Sequence, residues 1–227
     1  MSDLAARLSA IDLRIADAAR AAGRDPEDLT RIVVTKFHPA ALVTELHALG
    51  VRDVGENRQQ ELSAKRDELT SLDDVRWHFI GQAQTNKAAA IRRSAEAVHS
   101  VDRERLADAL HRAADSDDLL DVLVQVNLTD DQGRGGVAPG DARRLAEHIL
   151  ELTSLRLRGV MAVAPLDEEP ASAFERLRAI ADDVRTVDPA ADWISAGMTG
   201  DFAEAIAAGA THLRIGSAIT GPRPDRG

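Results

Sequence analysis

Arg31-Ile32-Val33-Val34-Thr35-Lys36-Phe37-His38-Pro39 is the stretch on which the fold turns. Ile32, Val33, Val34 and Thr35 are β-branched, and such a run favours a buried strand. Pro39 then opens an Ala/Leu-rich segment, at the one place in a helix where proline is well tolerated. The pattern predicts a strand over 31–36 feeding a helix over 39–49. Lys36 then sits at the strand's carboxyl end, at the mouth of the fold and close to its apolar interior. A lysine in that position is costly unless it is paired or neutral. Desolvation lowers an amine's pKa, which is how lysines are prepared for Schiff-base chemistry. The plainer alternative is a stem that follows the strand while its ammonium reaches water.

Outward from this stretch the same rhythm repeats. An amphipathic helix over 3–22 precedes it, with Leu4, Leu8, Ile11, Ile15 and Ala18 on one stripe and Gly23 as its stop. After it, strands are expected at 51–55, 75–80, 97–101, 119–127, 155–161, 193–195 and 212–215. Helices are expected from 56, over 84–93, 102–114, 139–152, 168–187 and 199–208, with a polar loop at 128–138. Eight strand-like segments alternating with helices imply βαβ units and a parallel sheet. With no sequence left over for a second unit, a single α/β domain fits best, a (β/α)8 TIM barrel with an extra N-terminal helix. The whole chain, 1–227, reads as that one domain, with 222–227 a loose tail. An open doubly wound sheet is disfavoured because no GxGxxG follows the first strand.

Composition removes whole classes of chemistry. There is no cysteine, which excludes disulfides, thiol nucleophiles and thiolate metal sites, and no tyrosine, which removes a common acid/base. A formal net charge of −10 argues against a nucleic-acid or anionic-membrane partner but not against a small anion held locally. The charged amino terminus lacks an apolar leader and no segment is long enough to span a bilayer, so a cytoplasmic location is expected.

In a barrel, function gathers where strands end. Those positions bring together Lys36, Asn57, His78, His99, Asn127, Met161, Ser195 to Thr199, and Arg214 to Ser217. The loops after the seventh and eighth strands, Ser195-Ala196-Gly197-Met198-Thr199-Gly200-Asp201 and Arg214-Ile215-Gly216-Ser217, carry the glycines and hydroxyls of a phosphate cradle. Arg214, at the end of a buried strand, needs an acceptor: either a ligand atom or an acidic neighbour such as Asp201 or Glu56. A lysine, a phosphate cradle and an arginine on one rim suit pyridoxal 5′-phosphate (PLP). Strong PLP electron sinks pair the ring nitrogen with a carboxylate; an arginine instead donates to an unprotonated nitrogen and mutes carbanion chemistry.

Taken in order, Val34-Thr35-Lys36, Val54-Gly55-Glu56-Asn57, Trp77-His78-Phe79-Ile80-Gly81, Gln84-Thr85-Asn86-Lys87, His99-Ser100-Val101-Asp102, Leu157-Arg158-Gly159-Val160-Met161, Gly197-Met198-Thr199 and Arg214-Ile215-Gly216 form one set. The chain resembles the YggS/PROSC-type pyridoxal phosphate homeostasis proteins, single-domain relatives of the alanine racemase barrel, from about Leu4 to Arg223. The resemblance implies PLP held as a Schiff base on Lys36. It further implies phosphate on Thr199, Gly216 and Ser217, Arg214 at the ring nitrogen, and Asn57, Met161, Ser195 and Met198 around the pocket. It departs from that pattern at Thr199 (usually Ser), Arg58 (usually Tyr), Ala83 (usually Leu) and the 131–136 segment, where Arg134 stands near the usual Lys. Racemases of this barrel use a second base, a tyrosine from another domain, which this chain lacks. The implied role is intracellular PLP storage or delivery without efficient catalysis, by a monomer, with PLP-dependent apo-enzymes as candidate recipients. A slow amino-acid racemase is the alternative.

Overall fold

The β-branched run forms β1 (Thr30–Val34), which ends two residues before Lys36. In this computed structural model residues 2–223 are described, the side chain of Gln132 aside. The chain continues through α2 (Ala40–Ala48), β2 (Asp53–Glu56), α3 (Gln59–Glu68), β3 (Arg76–Phe79), α4 (Ala88–Ser94) and β4 (Ala97–Val101). It then runs through α5 (Glu104–Arg112), β5 (Leu120–Gln125), α6 (Ala142–Leu150), β6 (Leu155–Met161), α7 (Pro170–Val187), β7 (Trp193–Ser195), α8 (Phe202–Ala207), β8 (His212–Ile215) and α9 (Ser217–Thr220). Among the described residues the eight strands pair in sequence order, all parallel, and β8 closes onto β1 with Thr30 opposite His212 and Val33 opposite Ile215. The expected (β/α)8 barrel is the observed one.

Alternation along each strand separates two interiors. Val33, Val54, Val98, Val122, Val160, Leu213 and Ile215 pack with helix residues such as Leu46, Ile91, Leu110 and Leu177 in one continuous core. The opposite strand face holds a small apolar cluster of Ala97, Leu123, Met161 and Trp193. Around it His78, His99, Ser195, His212 and Arg214 are buried, so much of the space inside the barrel is filled by polar groups. β6 and β7 come together only because Gly159 has no side chain: its φ is 141°, and a Cβ would lie 1.9 Å from the Trp193 carbonyl oxygen.

The N-terminal helix, α1 (Asp3–Ala21), does not cover the bottom of the barrel. It lies along the outside, against α8 and α9. Leu4, Leu8, Ile11, Ile15 and Ala19 are its buried stripe, with Ala18 at the edge. Arg7 donates to the Ile219 carbonyl at 2.7 Å and Arg24 to the Ala210 carbonyl at 2.6 Å, tying both ends of the helix to the last βα unit. α8 begins at Phe202 with Asp201 at its N-cap, three residues later than the pattern at Thr199 predicts. α9 follows β8 without any periodic signal in the sequence. Of the tail expected to be loose, Arg223 packs its guanidinium 3.9 Å from the centre of the Phe37 ring, while 224–227 lie outside the described residues. No helix among the described residues is long and apolar enough to cross a membrane.

Candidate functional site

At the carboxyl ends of the strands lies a pocket of about 490 Å³. It is built by the turn after β1, the end of β2, and the loops after β6, β7 and β8. Lys36, Asn57, Met198, Thr199, Arg214, Gly216 and Ser217 line it, together with Val34, Phe37, His38, Ile80, Val163, Gly200 and Arg223. Among the described residues, Lys36, Arg214 and Arg223 are on this wall and no Asp or Glu is. In a chain of net charge −10, such a concentration of uncompensated cations marks a place built for an anion.

Lys36 is presented by a strained turn. Phe37 has φ 70°, a conformation that bulky side chains avoid at a cost of about 1–3 kcal/mol. Glu61 holds the turn by accepting from the Phe37 N–H at 2.9 Å, and Arg58 lies 5.1 Å from the centre of the Phe37 ring, opposite in sequence to Arg223 but on the same aromatic side chain. Beneath the turn, Lys65 donates to the Thr35 carbonyl at 2.8 Å and to Glu56, while the Thr35 hydroxyl donates to Glu56 at 2.6 Å. Burial raises the Glu56 pKa and the neighbouring Lys65 opposes that shift. Glu56 is therefore a partner of Lys65, not of Arg214. Lys36 itself has no carboxylate within ion-pair distance among the described residues. Its ammonium faces the pocket and lies 5.8 Å from the Phe37 ring centre.

Across the mouth, Arg214 is 5% exposed and makes no ion pair among the described residues. Its Nη1 donates to Ser195 Oγ at 2.7 Å and its Nη2 to the Ala162 carbonyl at 2.8 Å. Burial lowers its pKa to about 10, with the charge of Asp201 opposing, so it stays a cation and a donor at neutral pH. Two short loops complete the rim. Asp201 Oδ1 accepts from the Met198 N–H at 2.6 Å and shapes the first, where Gly197 (φ 90°) is obligatory because a Cβ would meet Ala205 Cβ at 2.8 Å. The N–H groups of Thr199, Gly200, Ser217 and Ala218 have no acceptor among the described residues.

Met161 and Ser195, expected on the pocket wall, are not on it. Met161 is 3% exposed in the apolar cluster inside the barrel, and Ser195 is fully buried behind Arg214. Both lie one layer below the mouth. When both faces of a strand are buried, the pattern does not say which residue is the last to clear the rim. Asn57 is on the wall, and its Oδ1 is buried without a partner. His78 and His99 are buried within the barrel, off the pocket. Asn127 is turned into its own loop, accepting from Thr129 and donating to the Asp131 carbonyl, and Arg134 lines a separate cavity with it. His38 and Arg223 belong to the wall and were not singled out from the sequence. The first follows Lys36 by two residues; the second lies in a Gly/Pro-rich stretch that carries no structural signal.

A half-used guanidinium and four free rim N–H groups fit a ligand with an acceptor at one end and an anion at the other, and the orphaned Asn57 amide oxygen would take a donor. The model of the alanine racemase N-terminal domain family matches residues 7–224. A pyridoxal phosphate homeostasis protein of Pseudomonas aeruginosa is 42% identical, covering 98% of this chain and 97% of its own. One from Mycobacterium tuberculosis is 41% identical, covering 98% and 93%. PipY of Synechococcus elongatus, solved with PLP bound, superposes with a TM-score of 0.84 at 34% identity, covering 96% of this chain and all of its own. The chain belongs to the alanine racemase N-terminal domain family and, within it, to the pyridoxal phosphate homeostasis proteins.

Proposed function

We propose that this protein binds PLP in the mouth pocket, covalently through Lys36, and acts in PLP homeostasis as a holder and donor of the cofactor. The observation that carries the reading is a pocket with three cations and no carboxylate among the described residues, in which a lysine faces the hydroxyl and N–H rim of Thr199, Gly200, Gly216 and Ser217. Bound there, PLP would supply an aldehyde to the Lys36 amine and a phosphate to the rim. Arg214 would donate to the ring nitrogen, and Asn57 and Met198 would border the ring. Met161 and Ser195 would act from behind the wall. The PLP-bound relative of the same fold supports the assignment of the ligand class.

The chain's own groups argue against efficient turnover. Racemisation needs proton-transferring groups on both faces of the ligand. Lys36 and His38 leave the same turn, His78 and His99 are sealed inside the barrel, and the sequence has no tyrosine. A single-domain monomer in the cytoplasm, handing PLP to apo-enzymes, is the physiological form proposed. Titration with PLP tests the binding directly. Wild type should develop the visible band of a Schiff base and Lys36→Ala should not, with unchanged thermal stability. A wild type that stays colourless would end the proposal. Deuterium exchange at the α-carbon of L-alanine in heavy water at enzymatic turnover would favour the racemase instead.

A further inference from the structure

The polar groups inside the barrel are not scattered. Arg214 Nη1 donates to Ser195 Oγ at 2.7 Å; Ser195 Oγ lies 2.8 Å from His99 Nδ1; His99 Nε2 lies 2.9 Å from His78 Nδ1; and His78 Nε2 lies 2.9 Å from Asp53 Oδ1. Ser195, His99 and His78 are fully buried, whereas Asp53 keeps 27% of its side chain exposed at the opposite end of the barrel. The carboxylate end fixes where every proton in between must sit. Asp53 can only accept, so His78 carries its proton on Nε2 and donates it there. His78, neutral, then accepts on Nδ1 from the His99 Nε2–H, and His99 accepts on Nδ1 from the Ser195 hydroxyl. Arg214 can only donate, and Ser195 Oγ accepts from it while donating onward, so the other end agrees. The opposite direction would face the Asp53 carboxylate with an unprotonated Nε2. Burial lowers the pKa of both histidines, that of His99 well below its ordinary value, so both are neutral at neutral pH.

We propose that Asp53, His78, His99 and Ser195 are positioning residues for Arg214: a one-way column of hydrogen bonds that orients its guanidinium toward the pocket and makes the site select a ligand with an unprotonated pyridine-type nitrogen. A buried guanidinium needs negative charge near it. A carboxylate placed in the pocket would meet that need, but it would also favour a protonated ring nitrogen. The column places the carboxylate at the far end and delivers its influence as aligned dipoles, each with its negative end toward Arg214. Asp201 adds charge at a distance without a contact. The inference rests on the PLP reading of the site but concerns the chain's own residues, which can be read without any ligand.

Nitrogen-15 NMR of histidine-labelled, ligand-free protein should find His78 and His99 both as Nε2–H tautomers. Asp53→Ala removes the terminal acceptor and should mix the tautomers of both, including His99 two links away, whereas Asp53→Asn retains an acceptor oxygen and should restore them. The second readout compares the affinities of PLP and its N-methylpyridinium analogue. Wild type and Asp53→Asn should prefer PLP by about tenfold or more, and Asp53→Ala and His99→Phe should each narrow that preference by roughly threefold or more. An Nδ1–H tautomer or an imidazolium at either histidine in wild type would overturn the column, as would an unchanged preference in both breaking variants. A wild type that takes up no PLP, yet shows both tautomers as expected, would support the column and overturn the reading of the pocket.

Discussion

Two cavities of this barrel are rich in arginine, one at each end, and they differ in what faces the cations. The cavity at the amino ends of the strands is the larger, about 690 Å³ against 490 Å³, and Arg66, Arg76, Arg92, Arg93 and Arg156 line it. Glu96, Asp115, Asp118 and Asp121 line it too: Arg66 pairs with Glu96, and Arg76 and Arg156 both pair with the buried Asp121. Arg92 spends its donors on the carbonyls of Asp118 and Ser154. At the mouth Lys36, Arg214 and Arg223 face a wall with no carboxylate among the described residues. Cations whose charge is met within the chain hold the fold together; cations left unmet await a ligand. The larger volume and the larger number of arginines belong to the end that binds its cations internally, so neither marks the ligand site. Pairing does.

The comparison can be broken from either side. Removing both rim hydroxyls, Thr199→Val with Ser217→Ala, should weaken PLP binding by about 100-fold or more, since each hydrogen bond to a charged group contributes about 1.5–3 kcal/mol. Thermal unfolding should hardly move, because neither hydroxyl has a partner within the chain among the described residues. Asp121→Ala should do the reverse. It strands two arginines at a carboxylate site 2% exposed, and it should cost about 2–4 kcal/mol of stability in denaturant titration. The full cost of breaking a buried pair is discounted because half of the Arg156 side chain reaches water. The PLP affinity of the folded fraction should be unchanged. Loss of PLP binding in Asp121→Ala, or of stability in the rim variant, would erase the distinction.

The third prediction is the pH dependence of the interior between the two ends. Burial lowers the pKa of His78, His99 and His212 below the ordinary value near 6.5. Below that pH the unfolded chain takes up protons that the folded barrel refuses, so stability falls as pH drops from about 6.5, by up to about 1.4 kcal/mol per pH unit for each histidine that stays neutral. Glu56, whose pKa is raised, works in the opposite sense, and His38, whose pKa burial also lowers, adds to the first. The midpoint of thermal unfolding should therefore be lower at pH 5.5 than at pH 7.5. His212→Phe should flatten the difference, and an equal midpoint at both values would contradict the neutral interior.

The barrel was legible because β-branched runs such as 31–36 and 119–127 alternate with Ala/Leu-rich helices, and local preference agreed with packing throughout. Lys36 and the two rim loops were legible for a topological reason: the turns and loops that follow the carboxyl ends of barrel strands build the mouth. What was hidden depends on phase and on distance. Ser195 and Met161 sit at strand ends yet point one layer down, and no alternation marks that in a sheet buried on both faces. Ser217 to Thr220 is too short to show a helical period. The column from Asp53 to Arg214 joins five strands and spans 161 residues of sequence, so no local pattern connects its members. The positive-φ turn at Phe37 could not be foreseen in a phenylalanine, a bulky side chain poorly suited to it.

The most direct test of the central claim is to reduce PLP-loaded protein with borohydride, digest it and locate the adduct by mass spectrometry. A single pyridoxyl adduct on the peptide containing Lys36, absent from Lys36→Ala, is the predicted result. An adduct on Lys65 or Lys87 with Lys36 unmodified, or none at all, would contradict it.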